Sequence, residues 1–340
     1  MTGHNACPGV VQTPDARYNR LVSEPAIEVR GLRKAYGPVE AVRGVDFSIR
    51  AGEIFCLIGP NGAGKTTTVE ILEGHRTADT GEVRVLGHDP ARGERAFKER
   101  IGIVLQRVGI QRFLTVEETL EMFRGYYPHP LPVDELLTRV GLTEQRKTLV
   151  RRLSGGQMRR LDTGVAMAGD PDLLFLDEPT TGFDPAARRS TWEMLKQLKA
   201  LGKTVLLTTH YMEEAEYLAD RVAIIALGRI VKEGNVDELR RGFADSLIRF
   251  RLPEGAALPE AAAPAGAKIE DGIATIATDE PTRYLYELTA WATQKGVELD
   301  ELSVRKIGLE EIYLELTTLG RAEPGAGRAE KNGEPEEGRP

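Results

Sequence analysis

From Ile27 to about residue 241, short apolar runs alternate with amphipathic stretches. Ile27 to Arg30 and Val45 to Ile49 predict short strands of an accessory sheet. Glu53 to Ile58 reads as a buried strand that feeds a glycine-rich turn, and Thr66 to Leu72 begins a helix. Thr115-Val116-Glu117-Glu118 has capping-box spacing, with Thr115 at the N-cap and Glu118 at N3. Val116, Leu120 and Phe123 follow at helical spacing, and Val133, Leu136, Leu137 and Val140 form a second stripe at i, i+3, i+4, i+7. Core packing accounts for both stripes, which predict a helical insert over residues 97–165. The alternation then resumes. Leu173 to Leu176 reads as a buried strand, and Asp184 as an N-cap with Pro185 at N1. The helix opened there turns Trp192, Leu195 and Leu198 inward. Thr204 to Thr208 is another strand, and Val222 to Ala226 with Arg229 to Lys232 predicts a hairpin turned at Gly228.

Beyond residue 243 the pattern changes. Leu247 to Leu252 and Ile273 to Thr278 alternate like strands, Thr282 to Thr293 is helix-like, and Glu298 to Val304 reads as a strand. Leu309, Ile312, Tyr313 and Leu316 line one helix face. The expected organisation is a disordered leader (1–25), an α/β domain (26–242), a small C-terminal α+β domain (243–319) and a disordered tail (320–340). Gly255 to Ala267 is expected to be a loop.

Composition narrows the function classes. A formal net charge of −7 argues against a general nucleic-acid binder. Two cysteines far apart in sequence, Cys7 and Cys56, offer neither a disulfide framework nor zinc spacing, and Cys56 reads as an inert buried thiol. The apolar runs fall well short of the roughly 20 residues of a spanning helix, so a membrane role is expected to come through a partner.

Three segments carry chemistry. The first is Gly59-Pro60-Asn61-Gly62-Ala63-Gly64-Lys65-Thr66, followed by Thr67. Flanked by a strand and a helix, it is a phosphate-binding loop. Its backbone N–H groups converge on phosphates, Lys65 bridges the β- and γ-phosphates, and the Thr66 hydroxyl ligates Mg²⁺. The second is Asp177-Glu178, at the end of the buried strand. Asp177 suits the Mg²⁺ shell, and Glu178 can polarise an attacking water as general base. The third is Leu153-Ser154-Gly155-Gly156-Gln157. Ser154 sits where an N-cap would, so a second phosphate-reading helix N-terminus is expected there. One nucleotide does not need two such N-termini from one subunit. The economical arrangement is a two-fold dimer in which Ser154, Gly155, Gly156 and Gln157 close on the partner's nucleotide.

Together these motifs resemble the nucleotide-binding subunit of ATP-binding cassette (ABC) transporters, over Ile27 to about residue 241. The resemblance implies a P-loop ATPase fold with a RecA-like core, an antiparallel β subdomain and a helical subdomain. It implies ATP and Mg²⁺ as cofactors, an ATP-sandwich homodimer, and a separate transmembrane permease subunit at the cytoplasmic face of the membrane. No nucleic-acid partner is expected. By the same resemblance Tyr36 stacks on adenine, and Gln106 senses Mg²⁺ and the membrane partner. Asp184 communicates across the dimer, and His210 contacts the γ-phosphate. Phe183 stands where Leu is more usual, and Asp162 and Gly164 make the helix after the signature run unusual. Thr180 to Pro185 and Leu309 to Thr317 resemble ATPases of drug-resistance exporters in particular. The alternative is a soluble ATPase of the same kind acting on ribosomes or DNA. A single cassette, a short insert and the acidic balance weigh against it.

Overall fold

The computed structural model describes residues 25–104, 109–252 and 267–321. Nearly all of the expected leader and tail, Cys7, Gln106, and the loop from Gly255 up to residue 266 lie outside the described residues.

Strand β1 (Ile27–Tyr36) pairs antiparallel with β2 (Val39–Ile49). Both run longer than expected, because register shifts after Val29 turn Leu32 inward and let the pairing continue. Next come β3 (Ile54–Ile58), α1 (Lys65–Leu72) and β4 (Thr80–Val85), the last of which joins the opposite edge of β1. A short helix α2 (Arg95–Lys98) precedes β5 (Ile101–Val104). Here the expected helical insert is corrected. Residues 101–104 form a strand of the main sheet, parallel to β6 (Leu173–Asp177). Four apolar residues are too few for periodicity to separate strand from helix. The helices of the insert follow β5: α3 (Val116–Arg124), α4 (Val133–Arg139) and α5 (Gly155–Ala166). After β6 come α6 (Pro185–Ala200), β7 (Thr204–Thr209), α7 (Met212–Leu218) and the hairpin β8 (Arg221–Ala226) and β9 (Arg229–Gly234).

The main sheet has the order β5-β6-β7-β3-β8-β9, parallel except for β9. Its central strands are buried on both faces, as parallel sheets require. Along β3, Ile54, Cys56 and Ile58 pack toward the helices of the insert, while Phe55 and Leu57 pack against the antiparallel β2-β1-β4 sheet. Cys56 is fully buried, and burial drives its thiol pKa well up, in keeping with an inert role.

The C-terminal unit follows α8 (Val236–Arg240). Strands β10 (Ser246–Arg251), β11 (Lys268–Glu270), β12 (Ile273–Thr278) and β13 (Asp300–Lys306) form an antiparallel sheet ordered β11-β12-β10-β13. Helix α9 (Pro281–Lys295) covers Ile248, Phe250, Ala274 and Ile276 with Leu288. The last helix, α10 (Leu309–Arg321), crosses the boundary expected at residue 320. It also departs from the expected domain division. Leu309 and Ile312 are fully buried in the core of the first body, alongside Ala215, Leu218 and Leu239, and Tyr313 and Leu316 pack on the same cluster. The Leu309 amide donates to Glu216 Oε1 at 2.6 Å, and Arg240 Nε donates to the Ile307 carbonyl at 2.9 Å. The chain therefore leaves the cassette at about residue 245 and returns to it at residue 307.

Candidate functional site

The sheet order places the site. β6, β7 and β3 are neighbours, with Asp177 opposite Thr208 and Ile58 opposite Thr209. The carboxyl ends of these strands therefore deliver Asp177-Glu178, His210 and the glycine loop to one crevice, where open α/β sheets bind ligands. A cavity of about 710 Å³ opens there. Of the expected residues, Tyr36, Pro60, Asn61, Gly62, Gly64, Lys65, Thr66, Thr67, Asp177, Glu178 and His210 line it.

Gly59 and Ala63 are buried in the loop rather than lining the cavity. A Cβ on Gly59 would come within 2.3 Å of the Ile225 carbonyl oxygen, and one on Gly64, at φ +104°, within 2.5 Å of the Ala41 carbonyl oxygen. These two glycines let the loop lie against the protein's own backbone, a packing reason beside the phosphate approach read from the sequence. Lys65 Nζ donates to the carbonyls of Gly59 and Pro60, at 2.7 and 3.1 Å. Burial lowers its pKa, against the opposing pull of Glu178 and Asp177.

The two acids differ in setting. Thr208 Oγ1 donates to Asp177 Oδ1 and orients that carboxylate. Glu178 has φ +46°, the left-handed region, at the turn leaving β6. Its amide donates to the Thr208 carbonyl at 3.1 Å, its Oε2 accepts from Thr181 Oγ1 at 3.1 Å, and its Oε1 lies 3.2 Å from His210 Nδ1. Tyr36 stands at the rim, its ring 5.9 Å from Lys34 Nζ and 5.4 Å from the Arg76 guanidinium. Thr66 and Asp177 present hard oxygen donors to the same cavity. Mg²⁺ favours such donors when phosphate and water complete its shell, so the residues fit that ion.

The structure does not bring the signature run to this cavity within one chain. Ser154 and Gly155 are exposed at the start of α5. Ser154 Oγ accepts from the Gln157 amide at 3.2 Å, and Gln157 Oε1 accepts from the Ser154 amide at 3.0 Å. That is a capping box, and Gln157 three residues after Ser154 was its legible signal. Asp184 likewise caps α6, accepting from the amides of Ala186 and Ala187. Sequence reasoning missed Val39 and Ala41, which line the cavity from β2. It also missed Thr208, whose position at a strand's carboxyl end was the available signal. Arg159 escaped notice too. It is 8% exposed and donates to the carbonyls of Asp177 and Pro179. Nothing local in the sequence marks it.

The comparisons with known proteins agree with this geometry. Residues 42–181 match the ABC transporter family, and residues 246–307 match the C-terminal domain of ABC transporter domain-containing-like proteins. The chain is 36% identical to the daunorubicin resistance ATP-binding protein DrrA3 of Streptomyces coeruleorubidus, over 87% of this chain and 97% of that protein. It is 34% identical to the linearmycin resistance ATP-binding protein LnrL of Bacillus subtilis, over 86% of this chain and 98% of that protein. With the Nod factor export ATP-binding protein I of Ralstonia nicotianae it shares 44% identity, over 64% of this chain and 69% of that protein. Among solved structures, an ATP-binding cassette of an ABC transporter in its ADP conformation superposes with a TM-score of 0.58 at 27% identity, over 64% of this chain and 93% of that one. The fold, the nucleotide crevice and relatives matched along nearly their whole length converge: the chain belongs to the ABC transporter family, as an ATP-binding, ATP-hydrolysing subunit.

Proposed function

We propose that two copies of this chain bind two MgATP between them, close, and so drive a separate membrane-spanning permease that exports amphipathic small molecules. The observation that carries this reading is the division of the machinery. One crevice holds the glycine loop, Asp177, Glu178 and His210, while the second anion-reading N-terminus, at Ser154, is solvent-exposed and apart from it. A two-fold dimer places Ser154, Gly155, Gly156 and Gln157 of one chain over the triphosphate held by the other. Among the described residues no helix is long and apolar enough to cross a membrane, which fits a peripheral place at the cytoplasmic face. The names of the resistance and export relatives support the export direction and the class of cargo.

In the closed pair, Tyr36 stacks on adenine, while loop amides and Lys65 hold the phosphates. Thr66 and Asp177, with Gln106, would hold Mg²⁺, and the bound ion would supply neutralising charge for the phosphate oxygens. Thr208 keeps the Asp177 carboxylate oriented. Glu178 accepts the proton of the attacking water, and its contact with His210 ties that carboxylate to the residue facing the γ-phosphate. Asp184, on the surface beside the exposed signature helix, reports closure across the dimer. Hydrolysis then removes the link between the copies and the pair opens.

The test is sedimentation of Glu178→Gln protein with and without MgATP, beside a phosphate-release assay. We expect a nucleotide-dependent dimer that turns over at least about 100-fold more slowly than wild type, the lower end of general-base effects. Lys65→Ala should abolish the dimer by weakening nucleotide engagement. Full ATPase activity in Glu178→Gln would overturn the base assignment, and a monomer at saturating MgATP would overturn the dimer.

A further inference from the structure

Helix α5 carries more than the signature run. Five residues after Ser154 it presents Arg159, about 7.5 Å along the helix axis at 1.5 Å rise per residue. The guanidinium is buried, at 8% exposure. Its Nη2 donates to the Asp177 carbonyl at 2.8 Å and its Nε to the Pro179 carbonyl at 3.3 Å. Those two carbonyls bracket Glu178, the residue with left-handed backbone. From the other side, Thr208 accepts the Glu178 amide. The Glu178 backbone is thus gripped by β7 on one side and by α5 on the other. One turn farther along α5, Asp162 Oδ2 lies 3.9 Å from Arg159 Nη1, itself only 7% exposed. Neither side chain lines the nucleotide cavity.

One rigid helix therefore holds, at its N-terminus, the groups that read the partner's phosphate and, in its second turn, the cation that sets the backbone of this chain's own general base. We infer that Arg159, held by Asp162, is a positioning residue that couples the two nucleotide sites of the dimer. Seating Ser154 on the partner's terminal phosphate fixes Glu178 for hydrolysis in the crevice of the same chain. The inference rests on the composite site proposed above.

The test uses full-length chains in mixed dimers purified through two different tags. Arg159→Met with Asp162→Leu removes both charges at similar volume, so neither member of the pair is left as a lone buried ion. In one mixed dimer the double variant sits on the chain with the intact Glu178, and the other chain carries Glu178→Gln. In the second, the double variant sits on the Glu178→Gln chain and contributes only its signature helix to the live site. We expect the first dimer to lose at least about 30-fold in kcat, with KM for ATP changed less than about two-fold, the pattern of an interaction made only in the transition state. The second should stay within about three-fold of the same dimer lacking the double variant. Damage to the helix alone would give the opposite contrast, because the signature acts in trans. Equal loss in both dimers, or loss only in the second, overturns the inference. Should the double variant fail to fold, Arg159→Lys keeps the charge without the two-pronged donor geometry, and the same contrast between dimers decides. Absence of any MgATP-dependent dimer in Glu178→Gln protein would instead count against the composite site itself.

Discussion

Glu73 closes the P-loop helix with a carboxyl group that the proposed chemistry does not use. It is 6% exposed, and burial, with the nearby charges of Asp177 and Glu70, pushes its pKa up to about 8. Its unfolded pKa is near the ordinary 4.5. Between those values the folded state holds a proton that the unfolded state has released, so stability falls as pH rises through the window. Glu73→Gln mimics the protonated form. In nucleotide-free protein, chemical denaturation should find wild type and variant alike near pH 5. Wild type should then lose up to about 1.4 kcal/mol per pH unit relative to the variant, up to about pH 8. Parallel pH profiles would contradict the buried-acid account. At this scale the sequence was legible wherever a residue's place in the crevice follows from a short motif, as for Lys65, Asp177 and Glu178. It was silent on Arg159 and Thr208, whose partners arrive from other elements of the fold. It also gave only half of the reason for Gly59 and Gly64, since the carbonyls they admit belong to Ile225 and Ala41.

Among elements, the capping boxes of α3 and α5 make a controlled pair. Thr115 caps α3 and Ser154 caps α5 with the same reciprocal bonds to Glu118 and Gln157. Removing either hydroxyl should cost about 1 kcal/mol of stability. Only Ser154 also faces the partner's phosphate in the proposed dimer. Thermal melts should therefore rank Thr115→Ala and Ser154→Ala together, while steady-state ATPase assays separate them, with Ser154→Ala alone losing at least about 10-fold. Equal activity in the two would reduce Ser154 to a plain helix cap. Caps and the β8–β9 hairpin were readable because their signals are local. β5 was not, since Ile101–Val104 carries no periodicity and its identity comes from pairing with β6.

Across the whole molecule, the return of α10 to the cassette decides what the C-terminal region contributes. Ile312 is fully buried in the cassette core, so Ile312→Ala should cost about 2–5 kcal/mol and lower the melting temperature of the ATPase body. Leu288→Ala lies in the separate core under α9 and should loosen the C-terminal sheet first. Hydrogen exchange read strand by strand distinguishes the two, and protection of β8 unchanged by Ile312→Ala would contradict the docking. The sequence displayed the apolar stripe of α10 but not the surface it covers, because periodicity reports a face and not its partner. The widest claim is that each nucleotide is enclosed by two chains. It is tested most directly by a crystal structure of the Glu178→Gln protein with MgATP. The account predicts the Ser154 hydroxyl within hydrogen-bonding distance of a terminal phosphate held by Lys65 of the other copy. A triphosphate in the crevice with Ser154 open to solvent in every assembly would contradict it.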